Sequence, residues 1–203
     1  KEATISISHA DMAQSYVGGY GYGDLSITDS LIRDGRGVYI PGGVIDSFIE
    51  RNIFLSSVGI DSALKFGATT YVRDNVFFDQ QSTYGQNYAI KADSGETFVE
   101  GNTFLSTDRV ALFVDKNGIL SASDNNFSTT DSDVIASMIL DSSDDLNYGP
   151  PISASFITVP TDNTPQVPEA MLLDQGQATF QHTGDTFVIT VDWAKAYAAS
   201  EEA

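Results

Sequence analysis

Between about Leu25 and Thr129 one phrase recurs: an apolar residue, two variable residues, Asn, any residue, then Phe. The Asn slot holds Ser30, Asn52, Asn75, Asn102 and Asn125, at intervals of 22, 23, 27 and 23 residues. Two residues further on lie Ile32, Phe54, Phe77, Phe104 and Phe127; three residues earlier lie Ile27, Ile49, Val72, Val99 and Ala122. A period of this size marks a solenoid, in which each unit leaves an apolar face open until its neighbour stacks on it. Alternating, β-branched and aromatic stretches such as Thr70–Phe78, bounded by Gly, Asp, Asn and Ser, make the units β rather than α. Leucine-rich repeats share the period but require Leu-x-Leu spacing and a helix, and neither is present. The pattern therefore predicts an all-β, single-stranded parallel β-helix of about five to six coils, its Phe column inside. The Asn column is expected at a turn, with the amide bonding local backbone and the residue itself tolerating left-handed dihedrals.

The pattern also predicts what flanks the array. Lys1 to Met12, with Ile5 and Ile7 alternating with serines, reads as a strand of a degenerate first coil whose Asn-slot position falls at Ser8, 22 residues before Ser30. Val17 to Asp24 is a glycine-rich loop presenting Tyr20 and Tyr22, and the long interval after Asn75 places an inserted loop at Gln80 to Asn87, beside Tyr84 and Tyr88. Aromatic faces on such loops pack on sugar rings, so these four tyrosines are the glycan-contact candidates. Asp131 or Ser132 caps a short helix near 131–140, with Val134, Ile135, Met138 and Ile139 on adjoining faces. Such a helix would cover an open end of the core. Beyond Pro150 and Pro151 the repeat is gone: Ile152 to Val159 alternates like a strand, residues 160–168 form a proline-punctuated connector, and Gln177 to Trp193 reads as a hairpin turning at Gly184 and Asp185. The residues from Ala194 onward favour helix by composition. The expected division is a β-helix with its cap at 1–159 and a C-terminal β appendage at 160–203.

Charge changes the picture more than size does. Ten basic against 28 acidic residues give a formal net charge of −18, which argues against nucleic acid, anionic lipid or a polyanionic glycan as a direct partner unless cations bridge. No apolar run approaches the ~20 residues needed to cross a bilayer, so no membrane insertion is expected. There is no Cys, hence no disulfide framework and no thiolate metal site. The sequence opens at Lys1 without an initiator Met, the mark of a processed or trimmed N-terminus.

From Asn125 the sequence runs Asn-Asn-Phe-Ser-Thr-Thr-Asp, then an Ile-x-x-x-Ile helix face, then Asp144-Asp145 and a Gly turn before the last strand. This resembles the end of the array in secreted right-handed parallel β-helix proteins of the pectin-lyase-like superfamily, over roughly Leu25 to Val159. Phe127-Ser128 stands where that family usually has Trp-Gly. The resemblance implies a right-handed coil and a secreted, extracellular or cell-surface location. It also implies a test for catalysis, because the fold houses pectate, alginate and chondroitin lyases. Ala63 to Gly67 is similar to the strand that carries the catalytic Arg of alginate and chondroitin lyases, with Lys65 in its place. The Ile-Ser-Lys phrase of the preceding coil is replaced by Val38 to Gly43, and the Arg-x-Pro-x-x-Arg phrase of pectate lyases is absent. No catalytic residue is therefore assigned; if the chain is a lyase, Lys65 and Arg73, beside Arg51, carry it.

Other chemistry is sparse. His9 and His182 are too far apart for a histidine metal site or triad. Glycosidases of this fold use clustered carboxylates, which are plentiful here, and Asp29, Asp34, Asp46 and Asp74 fall near equivalent turns. No cofactor is required by the sequence; Asp141, Asp144 and Asp145 supply oxygens dense enough for calcium, against an ordinary solvent-exposed turn. Asn126-Phe-Ser fits a glycan acceptor, but it falls inside the repeat phrase. The expectation is a non-catalytic surface, matrix or adhesive protein, self-associating through open coil ends. The alternatives are a polysaccharide lyase or hydrolase acting on an acidic glycan, and a carbohydrate-binding module.

Overall fold

The computed structural model describes residues 5–13, 16–18, 23–57, 59–63, 68–78, 88–106, 109–167, 178–183 and 186–191. The chain forms a parallel β-solenoid with three sides. One side stacks β1 (Ile5–Ser8), β4 (Gly23–Thr28), β7 (Val44–Glu50), β10 (Thr69–Arg73) and the second halves of β12 (Tyr88–Glu100) and β14 (Val110–Asn125). The second stacks β2 (Asp11–Ala13), β5 (Leu31–Arg33), β8 (Ile53–Leu55), β11 (Val76–Phe78) and β13 (Thr103–Phe104). The third stacks β3 (Tyr16–Gly18), β6 (Gly37–Ile40), β9 (Ile60–Ala63) and the first halves of β12 and β14. The five strands of the second side count out five turns.

Two residues of each repeat phrase make the interior. Phe54, Phe77, Phe104 and Phe127 stack at centroid distances of 4.7, 5.3 and 5.2 Å, near the spacing of paired strands. All four are at most 2% exposed, each burial favourable by roughly 1.5–3 kcal/mol. Beside them Asn52, Asn75, Asn102 and Asn125 are fully buried. Each of the last three accepts, through Oδ1, the backbone N–H of the Asn one coil earlier at 2.8–3.0 Å. Asn52, Asn75 and Asn102 in turn donate Nδ2 to the next Oδ1 at 3.0, 2.9 and 3.1 Å. The ladder tapers at one end: Ser30 N–H donates to Asn52 Oδ1, and Ala10 N–H donates to Ser30 Oγ.

This corrects three expectations. The Asn amides bond mainly between coils rather than locally, and the left-handed backbone sits one residue earlier, at His9, Asp29, Arg51, Asp74, Gly101 and Asp124, with φ from 52 to 67°. The reason is geometric: that twist turns the chain inward, so the Asn amide meets the adjacent rung. Asp34 shares the left-handed backbone, but Asp46 does not lie at a turn; it pairs with Thr69 inside β7. The first coil is also out of the expected register, because Asp11 pairs with Leu31 and the slot residue is Ala10, 20 residues before Ser30, rather than Ser8. The inserted loop lies outside the described residues.

At the far end the short helix α1 (Ser132–Ser137) lies within the expected span. Asp131 caps it, accepting from the N–H groups of Asp133 and Val134, and it buries Ile135; Met138, its C-cap, is buried too. The chain then adds β15 (Ile139–Leu140) and β16 (Ala154–Phe156) alongside β14. The predicted strand over 152–159 is only three residues long, and its Ser155 and Phe156 are exposed. The chain splits into compact units at Lys1–Pro165 and Gln166–Ala203. The second contains an antiparallel hairpin of β17 (Ala178–Thr183) and β18 (Thr186–Val191); its turn and the predicted C-terminal helix lie outside the described residues.

Candidate functional site

A cluster of ionisable side chains lies on the outer face of the third side. Residues alternate in and out along a strand, so with Ile60, Ser62, Ile90, Ala92, Leu112 and Val114 buried, the intervening Asp61, Lys91 and Phe113 point outward. The register places these three on adjacent rungs. Lys91 Nζ donates to Asp93 Oδ1 at 2.8 Å and Asp115 Oδ2 at 3.0 Å and lies 5.6 Å from the Phe113 ring centroid. Tyr148 meets Phe113 edge-on at 5.0 Å. From the other flank the Tyr88 hydroxyl donates to Asp61 Oδ2 at 3.3 Å, while Asp61 Oδ1 is buried without a hydrogen-bond partner.

Burial and pairing push these groups apart in acidity. Desolvation raises the Asp61 pKa, and the nearby Lys91 charge only partly offsets it. Asp115 is also penalised by desolvation, but the Lys116 N–H and the Lys91 ammonium outweigh the penalty and its pKa is lowered. Lys91 behaves in the complementary sense: burial alone would lower its pKa, and the bonds to Asp93 and Asp115 turn the shift upward. Burial, followed by the charge of Asp61, raises Tyr88. The arrangement thus sets beside each other two carboxyl groups shifted in opposite directions, Asp61 upward and Asp115 downward, a split that suits acid–base work.

A prediction follows for stability. Because Asp61 is harder to ionise folded than unfolded, ionisation works against the fold, so its burden appears as pH rises through the folded pKa and is absent below the unfolded value. Asp61→Asn is therefore expected to gain stability relative to the parent as pH rises from 3 to 7, read by urea unfolding at both ends. A parent-to-variant difference independent of pH counts against it.

The residues singled out in the sequence fare differently. Lys65, Tyr20, Tyr22 and Tyr84 lie outside the described residues. Tyr88 is 5% exposed at the start of β12, with its hydroxyl on Asp61. Arg73 packs over the Tyr71 ring at 4.8 Å and pairs with Glu100 at 3.3 Å and Glu50 at 3.7 Å. Arg51 makes a two-pronged pair with Asp29 at 2.7 and 2.9 Å, so the basic patch is neutralised by its own neighbours. The acidic turn is spent on backbone: Asp141 accepts from Ser143 and Ile152 N–H, both at 2.7 Å, Asp144 accepts from Asp141 N–H, and Asp145 from Asn147. Among the described residues no three His, Asp or Glu side chains are grouped to hold a metal ion. Asn126 is buried, donating to the Ile157 carbonyl and accepting from Ser128 N–H, so it is closed to glycosylation.

Sequence reading missed Asp61, Lys91, Asp93 and Asp115. The available signal was Lys91 itself, a lone cation between Ile90 and Ala92 in an apolar strand. Comparison with family models, with curated proteins and with solved structures finds no match.

Proposed function

We propose that this chain is a secreted, non-catalytic structural or adhesive component of a cell surface or extracellular matrix, related in design to the pectin-lyase-like β-helices but without their lyase residues. The observation that carries the reading is the contrast between its faces and its ends. Along the faces, Arg33, Arg51, Arg73 and Lys91 are each tied to carboxylates within 2.7–3.7 Å, which leaves these four cations little free positive charge to act on a substrate. At the N-terminal end, by contrast, β1, β2 and β3 each pair on one side only among the described strands, and such edges favour association. Sedimentation velocity over a concentration series, with and without calcium, is expected to show reversible self-association. Incubation with alginate, pectate and chondroitin is expected to produce no new ultraviolet-absorbing unsaturated ends. Their appearance would overturn the reading in favour of a lyase.

A second reading is favoured by the opposite shifts of Asp61 and Asp115: a glycan hydrolase in which Asp61 donates a proton to the leaving oxygen and Asp115 serves as the ionised partner. It requires release of reducing ends from at least one polysaccharide, abolished separately by Asp61→Asn and Asp115→Asn. A panel with no release retires it.

A further inference from the structure

We infer that the open end of an outer aromatic row on the first side is a binding slot for one pyranose ring of a neutral polysaccharide; this rests on the surface-component reading above and names its partner. Phe48, Tyr71 and Phe98 point outward from β7, β10 and β12, since Ser47 and Ile49, Thr70 and Val72, and Thr97 and Val99 beside them are buried. Their rings lie face to face, at 5.2 and 5.6 Å with planes 9 and 14° apart. The register carries the row on to β14, where the residue beside Phe98 is Ser121. A serine covers no ring face, and both Phe98, 38% exposed, and Ser121 meet solvent. The row therefore ends in a step one rung deep, floored by Ser121 and walled by the Phe98 ring, with the exposed Ile119 on its flank.

The rim of that step selects the ligand. Two residues either side of Phe98, on the same strand and the same outward face, stand Glu96 and Glu100, both exposed and each about 6–7 Å away along the strand. Glu100 pairs through Oε2 with Arg73 at 3.3 Å, which holds its carboxylate beside the row. A pyranose uses all of these groups: its C–H face packs on the Phe98 ring, and hydroxyls on its rim donate to carboxylates on both sides. A Phe, Tyr or Trp side chain from a partner protein would stack equally well but offers the two glutamates at most one donor. A uronate or sulfated sugar would set like charge against them, and so would a second copy of this chain using the same face. Charge and shape together leave a neutral sugar. The other end of the row is a poorer slot, because Ser26 is half-buried and Glu50, on the Phe48 rung, is already held by Arg51 and Arg73 at 3.5 and 3.7 Å.

Affinity electrophoresis of the full chain through gels containing glucomannan, β-glucan or galactan reads binding as retardation, with alginate and polygalacturonate gels as charged controls. At least one neutral polymer is expected to retard the chain, and the uronate polymers are not. Phe98→Ala is expected to weaken binding about ten-fold with an unchanged circular dichroism spectrum. Ser121→Phe fills the step with a fourth ring of the row; it is expected to abolish retardation while the urea midpoint stays level or rises, which separates loss of binding from loss of fold. Retardation by no neutral polymer, stronger retardation by the uronates, or binding that survives either substitution overturns the slot. So does a dimer in sedimentation equilibrium that Phe98→Ala dissolves, since a second copy would then be the occupant. Each of these outcomes leaves the structural reading standing; that reading falls instead on the appearance of unsaturated ends.

Discussion

Asn75→Ala is expected to cost about 3–6 kcal/mol, a large part of the ~5–15 kcal/mol that keeps a typical domain folded. Asn75 Oδ1 accepts from the backbone N–H of Asn52 at 2.8 Å and from its Nδ2 at 3.0 Å, and Asn75 Nδ2 donates to the Ile49 carbonyl at 2.8 Å and Asn102 Oδ1 at 2.9 Å. Alanine strips four bonds from a fully buried site. Each abandoned buried group costs roughly 1–3 kcal/mol. The companion Asn75→Asp separates lost bonding from lost volume. At neutral pH it aims a carboxylate at the Ile49 and Asn102 oxygens, and it recovers partly in acid, where its proton restores one donor. Its folded pKa lies above the unfolded value, so its deficit grows as pH rises. Urea unfolding at pH 3 and 7 reads both variants; an alanine cost under about 1 kcal/mol would mean that the ladder is ornamental.

Phe77→Ala is the second large effect, about 3–5 kcal/mol. Its ring is 1% exposed and stacked between Phe54 and Phe104. The molecule supplies its own control. On the outside of the first sheet Phe48, Tyr71 and Phe98 stack in the same way, at 5.2 and 5.6 Å with planes 9 and 14° apart. Tyr71→Ala removes an equivalent pair of ring contacts from a surface where Phe98 remains 38% exposed, and is expected to cost only about 1–1.5 kcal/mol. Stacking is nearly constant across the comparison; burial is not. Equal losses from the two variants would mean that ring stacking, rather than removal from water, holds the coils together.

The two ladders show what could be read in advance. Asn and Phe lie two residues apart within one coil, so their repetition is visible in the sequence, and α1 announced itself through Asp131 and the Val134, Ile135 and Met138 spacing. The outer row of Phe48, Tyr71 and Phe98 repeats at the same intervals as the inner one, but solvent-facing positions vary freely and the row ends at Ser26 and Ser121. The first coil slipped by two residues because Ala10 carries no amide to mark its place. The acidic cluster was harder still. Asp61 and Lys91 are 30 residues apart, and only strand pairing across the inserted loop brings them to adjacent rungs. Acidity added nothing legible, since the same residue type is shifted down at Asp115, where hydrogen bonds outweigh burial, and up at Asp61, where burial dominates.

The tapering of the amide ladder has a mechanical consequence. In an array whose units lean only on their neighbours, the weakest junction yields first, and here the interior Asn-to-Asn steps give way to Ser30 and then Ala10. Under tension the junctions at Ala10 and Ser30 would yield before the Asn-to-Asn junctions, one turn at a time. Each release of a 22- to 27-residue turn pays out about 70–95 Å of chain, so the array would lengthen in discrete steps.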